Sequence, residues 1–272
     1  MGKTDSGQVK SMNSKEKQGK RKRIVPKLAA SKRFGMYKKE EMKRVRKADV
    51  RQDATLARLR EAWKKYELEE LALYSRIITD FLKKIPYSPE DLDRFVISLA
   101  EFQDERNFPD KAGAFLSALI SNGADGGYVI DISHLPPLNG LGFKNSQKDI
   151  TVNGDAGSHI GMQMEKGTIV INGDVCDNLG AFMEGGKIEI GGNAGKGIGF
   201  CMRGGEILVE KNAGLSAGSG MTGGMIVIEG NAGSFLGANM NGGVIRIEGE
   251  IDSIGNVNSG KIFHKGKLIV DK

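Results

Sequence analysis

From Asp149 onward the chain repeats itself every 19 residues, and this period limits its fold more than any other feature. Ile150, Ile169, Ile188, Ile207, Ile226 and Ile245 form one column, and Val152, Ile171, Ile190, Val209, Ile228 and Ile247 form another two residues on. A glycine column follows at Gly154, Gly173, Gly192, Gly230 and Gly249, broken by Lys211. Next come Asp155, Asp174, Asn193, Asn212 and Asn231. Gly161, Gly180, Gly199, Gly218 and Gly237 precede a methionine column at Met164, Met183, Met202, Met221 and Met240. Gly167, Gly186, Gly205, Gly224 and Gly243 close each unit.

A fixed period without insertions means similar units stacked along one axis. The apolar-x-apolar pairs have the period of a strand and are too short for helices. Glycine and Asn/Asp at recurring places are expected to supply positive φ at the corners. These features predict a parallel β-helix with one 19-residue coil per turn, Ile stacked on Ile and Met on Met. One coil cannot bury enough apolar surface to offset its own ordering, so the coils must stack. Five regular coils over residues 149–243 and an irregular sixth predict a stack of about 25–30 Å at roughly 4.8 Å per coil. Tyr128–Ile132 reads as a first strand. The helical segment and Leu135–Lys148 are expected to cap the first coil, and the region of Phe263 and Leu268 the last.

Several patterns in the repeat imitate binding sites. Gly195-Lys196-Gly197-Ile198-Gly199 looks like a phosphate-cradling loop, but no Gly-Lys-Ser/Thr follows, and the same glycines recur in every unit. The Asp155 and Asp174 column changes to Asn, which favours turn chemistry over calcium binding. A methionine column suggests a soft-metal path, but its regular place in an apolar coil favours core filling. Cys176 and Cys201 are read as buried small apolar residues. His134, His159 and His264 each stand without a ligand-spaced partner, and Ser158 beside His159 makes no nucleophile–base pair without a third group. No catalytic residue, cofactor or metal is assigned.

The rest of the chain differs in kind. Residues 1–47 hold 17 Lys+Arg against 4 Asp+Glu, while the remainder holds 23 against 30, so a basic tail precedes a mildly acidic body. The tail carries the run Lys20-Arg21-Lys22-Arg23 with few apolar residues, and disorder is expected. Residues 48–125 read as helical. Leu56, Leu59, Trp63, Tyr66, Ile77, Ile78, Phe81 and Leu82 recur at spacings near three and four, giving a helix over about Asp53–Lys84 that Pro86 stops. Ser88, with Pro89, Glu90 and Asp91 after it, starts a second helix running to about Gln103. A third spans Pro109–Ser121, with Asn122-Gly123 as its C-cap. Trp63 and Tyr66 are read as core packing rather than a partner-binding stripe. The fold class is therefore α+β: basic tail 1–47, helical region 48–125 and β-helix domain 126–272. No apolar run approaches a membrane span and no signal-peptide core is present, which points to the cytoplasm.

The repeat Gly-Asp/Asn-Ala-Gly-x-x-Leu/Ile-Gly-x-x-Met-x-Gly-Gly-x-Ile-x-Ile resembles a glycine-rich (GXGXG) domain family. Gly192-Asn193-Ala194-Gly195 with Gly199, Met202, Gly204 and Gly205 carries the resemblance, as does Gly230-Asn231-Ala232-Gly233 with Gly237, Met240, Gly242 and Gly243. The family comprises the C-terminal domain of the glutamate synthase large subunit and the C subunit of formylmethanofuran dehydrogenase. It implies a right-handed β-helix that braces catalytic subunits and has no catalytic residues of its own. The resemblance covers about residues 149–260. The first 125 residues have no counterpart in it, and Cys176 and Lys211 replace repeat glycines. The expected function is a scaffold that docks onto other protein subunits, as in a redox enzyme. A nucleic-acid-associated protein acting through residues 1–47 is an alternative, and an enzyme with a site between helices and coils is another. The exposed coil edges or a flat face also offer routes to self-association.

Overall fold

The structure is a computed structural model that describes residues 54–66 and 82–272. The expectations for the basic tail and for helix through 67–81 lie outside the described residues. Among the described residues three helices come first: α1 (Ala54–Lys65), α2 (Pro89–Ser98), extended by a 3-10 turn over Leu99–Phe102, and α3 (Phe108–Asn122). Nine strands follow: β1 (Gly127–Asp131), β2 (Asp149–Asn153), β3 (Thr168–Asn172), β4 (Lys187–Ile190), β5 (Glu206–Val209), β6 (Met225–Ile228), β7 (Asn241–Ile247), β8 (Ser259–His264) and β9 (Lys267–Asp271). They form one sheet in sequence order, parallel from β1 to β8, with β9 returning antiparallel. This is a parallel β-helix of about seven turns.

The repeat columns are the register of the sheet. Ile150 pairs with Ile169, Ile169 with Ile188, and so on to Ile245 and Ile262, all buried. A second, one-residue ladder runs through Ala156, Val175, Ala194, Ala213, Ala232 and Ile251. Each coil thus hydrogen-bonds to its neighbours on more than one side, which satisfies the backbone of an otherwise loop-rich chain. All five column methionines are fully buried.

The first coil begins earlier than the repeat suggests. Gly127 pairs with Asp149, and Tyr128 with Ile150, so Leu135–Lys148 is the rest of a longer coil instead of a cap upon one. Leu138 and Leu141 fill its interior, Gly161 N donates to Leu141 O, and Lys144 N donates to Met162 O. The helices do cover it. Asn139 N donates to Pro109 O at 3.1 Å, and Ser117 Oγ on α3 donates to Gly140 O. Lys148 is nearly buried, and its ammonium donates to Gly123 O and Asp125 O at 2.7 Å each, at the C-terminal end of α3.

The helical cap has its own aromatic core. Trp63 packs against Phe95, Phe102, Phe108 and Phe115 at centroid distances of 5.5–6.3 Å, so its reading as core holds. Its indole N–H donates to Glu105, which also pairs with Lys111 at 2.7 Å. Ser88 caps α2 in a reciprocal capping box with Asp91. Gly123 caps α3 as expected, but with φ −63° and not in the left-handed region. Glycine is required there because a Cβ would overlap the Tyr128 hydroxyl.

At the far end, β8 and β9 form a hairpin through Lys265 and Gly266, both at positive φ. The hairpin blocks the edge of the last parallel strand, while Leu268 remains exposed. It therefore ends the stack by strand pairing and not by covering it with Leu268.

Candidate functional site

The glycine corner comes first, because glycine and acidic side chains converge there. A shallow open depression of about 470 Å³ is lined by Asp155, Asn172, Gly173, Asp174, Gly191, Gly192 and Lys211. Its acids are committed to the stack. Asp155 Oδ1 accepts the N–H of Asp174, and Asp174 Oδ1 accepts both the N–H and the side-chain amide of Asn193. The same bond continues from Asn212 N to Asn193 Oδ1, from Asn231 N to Asn212 Oδ1, and from Glu250 N to Asn231 Oδ1. Asn193, Asn212 and Asn231 are thus rungs of a side-chain ladder that closes each corner onto the next coil.

The expected positive φ at this corner is found only at Gly154 in its column (φ +113°), and not at Gly173, Gly192 or Gly230, nor at Asn193, Asn212 or Asn231. Close approach explains the glycines instead. A Cβ on Gly173 would overlap Gly154 O, one on Gly192 would overlap Gly173 O, and one on Gly230 would lie 2.6 Å from Lys211 O. The expected positive φ is found instead in two other glycine columns, Gly161, Gly180, Gly199, Gly218 and Gly237 (φ +61° to +70°) and Gly167, Gly186, Gly205, Gly224 and Gly243 (φ +84° to +90°), and in two columns of mixed residue type. One column holds His159, Asn178, Gly197, Ser216 and Phe235, and another holds Gln163, Phe182, Cys201, Gly220 and Asn239. Their residue types vary, so column conservation within the repeat could not reveal them. The enrichment in Asn, Gly and polar residues was the available signal.

Exposed apolar groups stand at or near those corners in the later coils. Phe200 is 38% exposed, Leu215 48%, Phe235 58% and Ile254 39%, one on each of four successive coils. Phe182, one coil earlier, meets Phe200 edge-to-face at 5.5 Å. Phe235 is unusual on two counts, being a bulky side chain held at φ +64° and left largely in solvent. Nearby charges are paired across the coils: Lys196 with Asp177 at 3.4 Å and Arg203 with Glu184 at 2.9 Å.

The remaining candidates do not assemble. His134 Nε2 lies 3.3 Å from Val96 O, His159 Nε2 3.3 Å from Asn178 Nδ2, and His264 Nε2 2.9 Å from Gly249 O, on three separate parts of the chain. Ser158 Oγ accepts from Asp177 N. Among the described residues no group of three or more His, Cys, Asp or Glu is placed to hold a metal ion. The reading of both cysteines as buried is corrected: Cys176 is exposed and Cys201 partly so. Cys176 replaces an outward corner glycine, and Cys201 sits at a left-handed corner (φ +52°), so neither side chain enters the core. Among the described residues, no helix is long and apolar enough to cross a membrane. No protein-family model matches the chain, and no match is found among the curated proteins.

Proposed function

We propose that this chain is a non-catalytic scaffold whose β-helix presents the exposed apolar residues Phe200, Leu215, Phe235 and Ile254, on four successive coils, to another protein subunit. The observation that carries this reading is Phe235, a large apolar side chain at a left-handed position with 58% exposure. Left-handed backbone at a bulky residue costs about 1–2 kcal/mol. Burying the ring would offset such a cost, yet the isolated chain leaves it in water. Rigid elements displaying apolar anchors at fixed spacing are what a docking surface needs. The repeat resembles the glycine-rich domain shared by glutamate synthase and formylmethanofuran dehydrogenase, which supports a component of a redox enzyme as the partner.

The test is mild affinity purification of the full chain, wild type beside the double variant Leu215→Ser/Phe235→Ser. The expected result is a stoichiometric partner with the wild type that is lost with the variant, while the variant keeps its melting temperature. A wild-type chain recovered alone contradicts the proposal, as does a partner retained undiminished by the variant.

A second reading rests on the charge of residues 1–47, with 17 Lys+Arg against 4 Asp+Glu. Phosphate neutralisation by such a segment would give nucleic-acid binding that weakens steeply with salt and vanishes when those residues are deleted. Binding unaffected by either change excludes it.

A further inference from the structure

The sequence holds five Asn-Gly pairs: Asn122-Gly123, Asn139-Gly140, Asn153-Gly154, Asn172-Gly173 and Asn241-Gly242. Such a pair carries its own chemistry. The backbone nitrogen after the asparagine can close on the side-chain amide carbon, and glycine, with no Cβ, resists that approach least. Ring closure needs an amide that can turn and a following N–H that is not already donated. The fold grants these conditions unequally.

Three pairs are held firmly. Gly123 N donates to Leu119 O at 2.9 Å, at the end of α3. Asn139 donates to Asp110 Oδ1 and accepts from Ser158 N, while Gly140 N donates to Ser158 O at 2.8 Å. Asn241 donates to Asn239 O and accepts from Asn258 Nδ2, so both ends of its amide are occupied. Asn153 is half-buried, and its Oδ1 accepts from Asn172 Nδ2 at 2.9 Å. Asn172 differs from all four. It is exposed and is the last residue of β3, so the peptide that must turn belongs to the corner and not to the strand ladder. Among the described residues no donor reaches its Oδ1, and no acceptor takes the Gly173 N–H. Its one tie is the bond to Asn153, at the rim of the open depression shared with Asp155, Asp174 and Lys211.

We propose that Asn172 is a site of self-modification, converting to aspartate and isoaspartate in the folded chain ahead of the other four asparagines. Gly173 N gives up its proton and bonds to Asn172 Cγ. The Cγ–Nδ2 bond breaks, and Nδ2 leaves with that proton as ammonia. A cyclic imide then joins residues 172 and 173, and water opens it. Attack at Cγ yields aspartate, and attack at the main-chain carbonyl carbon yields isoaspartate, whose main chain runs through the β-carbon. Water is consumed and ammonia released in equal amounts, with no change of oxidation state. Aspartate here removes the donor to Asn153 and sets another carboxylate beside Asp155 and Asp174. Isoaspartate lengthens the main chain at a corner where a Cβ on Gly173 would already overlap Gly154 O.

Peptide mapping of the full chain, kept folded in mildly alkaline buffer, tests this. Asn172 falls on the tryptic peptide 167–187, and fragmentation places the amide-to-acid mass gain on the residue that carries it. The expected result is conversion at Asn172 about tenfold faster than at any other Asn-Gly pair, equivalent to about 1.4 kcal/mol in the barrier. In urea, where the fold restrains none of them, the pairs should convert at similar rates. Asn172→Gln should stop the reaction at this position, because closure would need a larger ring, and should leave the melting curve unchanged. Another pair that matches Asn172 in the folded chain overturns the proposal. So does conversion at Asn172 that proceeds only once the chain is unfolded.

Discussion

Gly192 and Met202 are both fixed by the neighbouring coil, for opposite reasons. Gly192 leaves no room for a Cβ above the Gly173 carbonyl, whereas Met202 reaches up to fill the space that Gly224 leaves, its Cε 2.8 Å from where a Cβ would sit. Gly192→Ala is therefore expected to destabilise the chain by about 1–3 kcal/mol. Gly126→Ala, where a Cβ meets nothing within 4 Å, should be close to neutral. Urea denaturation of the two variants checks this, and equal effects would contradict the close-approach explanation. Met202→Ala should cost about 2–5 kcal/mol through the cavity it leaves, and Met202→Leu less than about 1.5 kcal/mol. The purpose of the methionine column was legible in the sequence because a recurring apolar residue in a stacked coil has few other places to go. The purpose of the glycine column was not. Its spacing looks the same whether glycine serves a positive φ or a tight contact, and only the position of the coil beneath separates the two.

Among the elements, Lys148 is one of several ties that join helices and solenoid, beside Ser117 and Asn139. Its ammonium is nearly buried and bonds two carbonyls at the end of α3. Lys148→Met removes both bonds and leaves the carbonyls without their donor, at a cost of about 1.5–3 kcal/mol. Trp63 fluorescence, which reports on the cap alone, should then change at lower urea than the far-ultraviolet signal of the strands. A single coincident transition at the wild-type midpoint would contradict the role given to Lys148. The same cap governs the alkaline limit. Burial pushes the Tyr66 phenol up to about 12 from an ordinary 10.0, and it raises Tyr87 and Tyr128 in the same direction. The folded chain then keeps protons that the unfolded chain releases. Stability is full below about pH 10 and falls as pH climbs toward 12. Thermal melts from pH 9 to 12 should show that decline, and Tyr66→Phe should flatten part of it. The start of α2 at Ser88 was legible because its N-cap, proline and acids are written in four adjacent residues. The first coil was not, because its length of 22 residues breaks the period on which the others were recognised.

At the scale of the whole molecule, identical columns become straight ladders, and exceptions to them become surface features. Lys211 interrupts the glycine corner, and Phe235 stands on a left-handed corner. The core columns were legible because repetition amplifies them. The candidate docking surface was not, because it lies in the positions that vary. Everything rests on a rise of one coil per 19 residues. Spin labels placed in one outward column test that rise: Thr151 paired in turn with Val227, Arg246 and Phe263, four, five and six coils away by strand register. Electron–electron distance measurements should be made on labelled chain diluted into unlabelled chain. The expected result is about 19, 24 and 29 Å between backbone positions, a constant step of roughly 4.8 Å; three distances that fail to climb by an even step would contradict the stacked solenoid and everything built upon it.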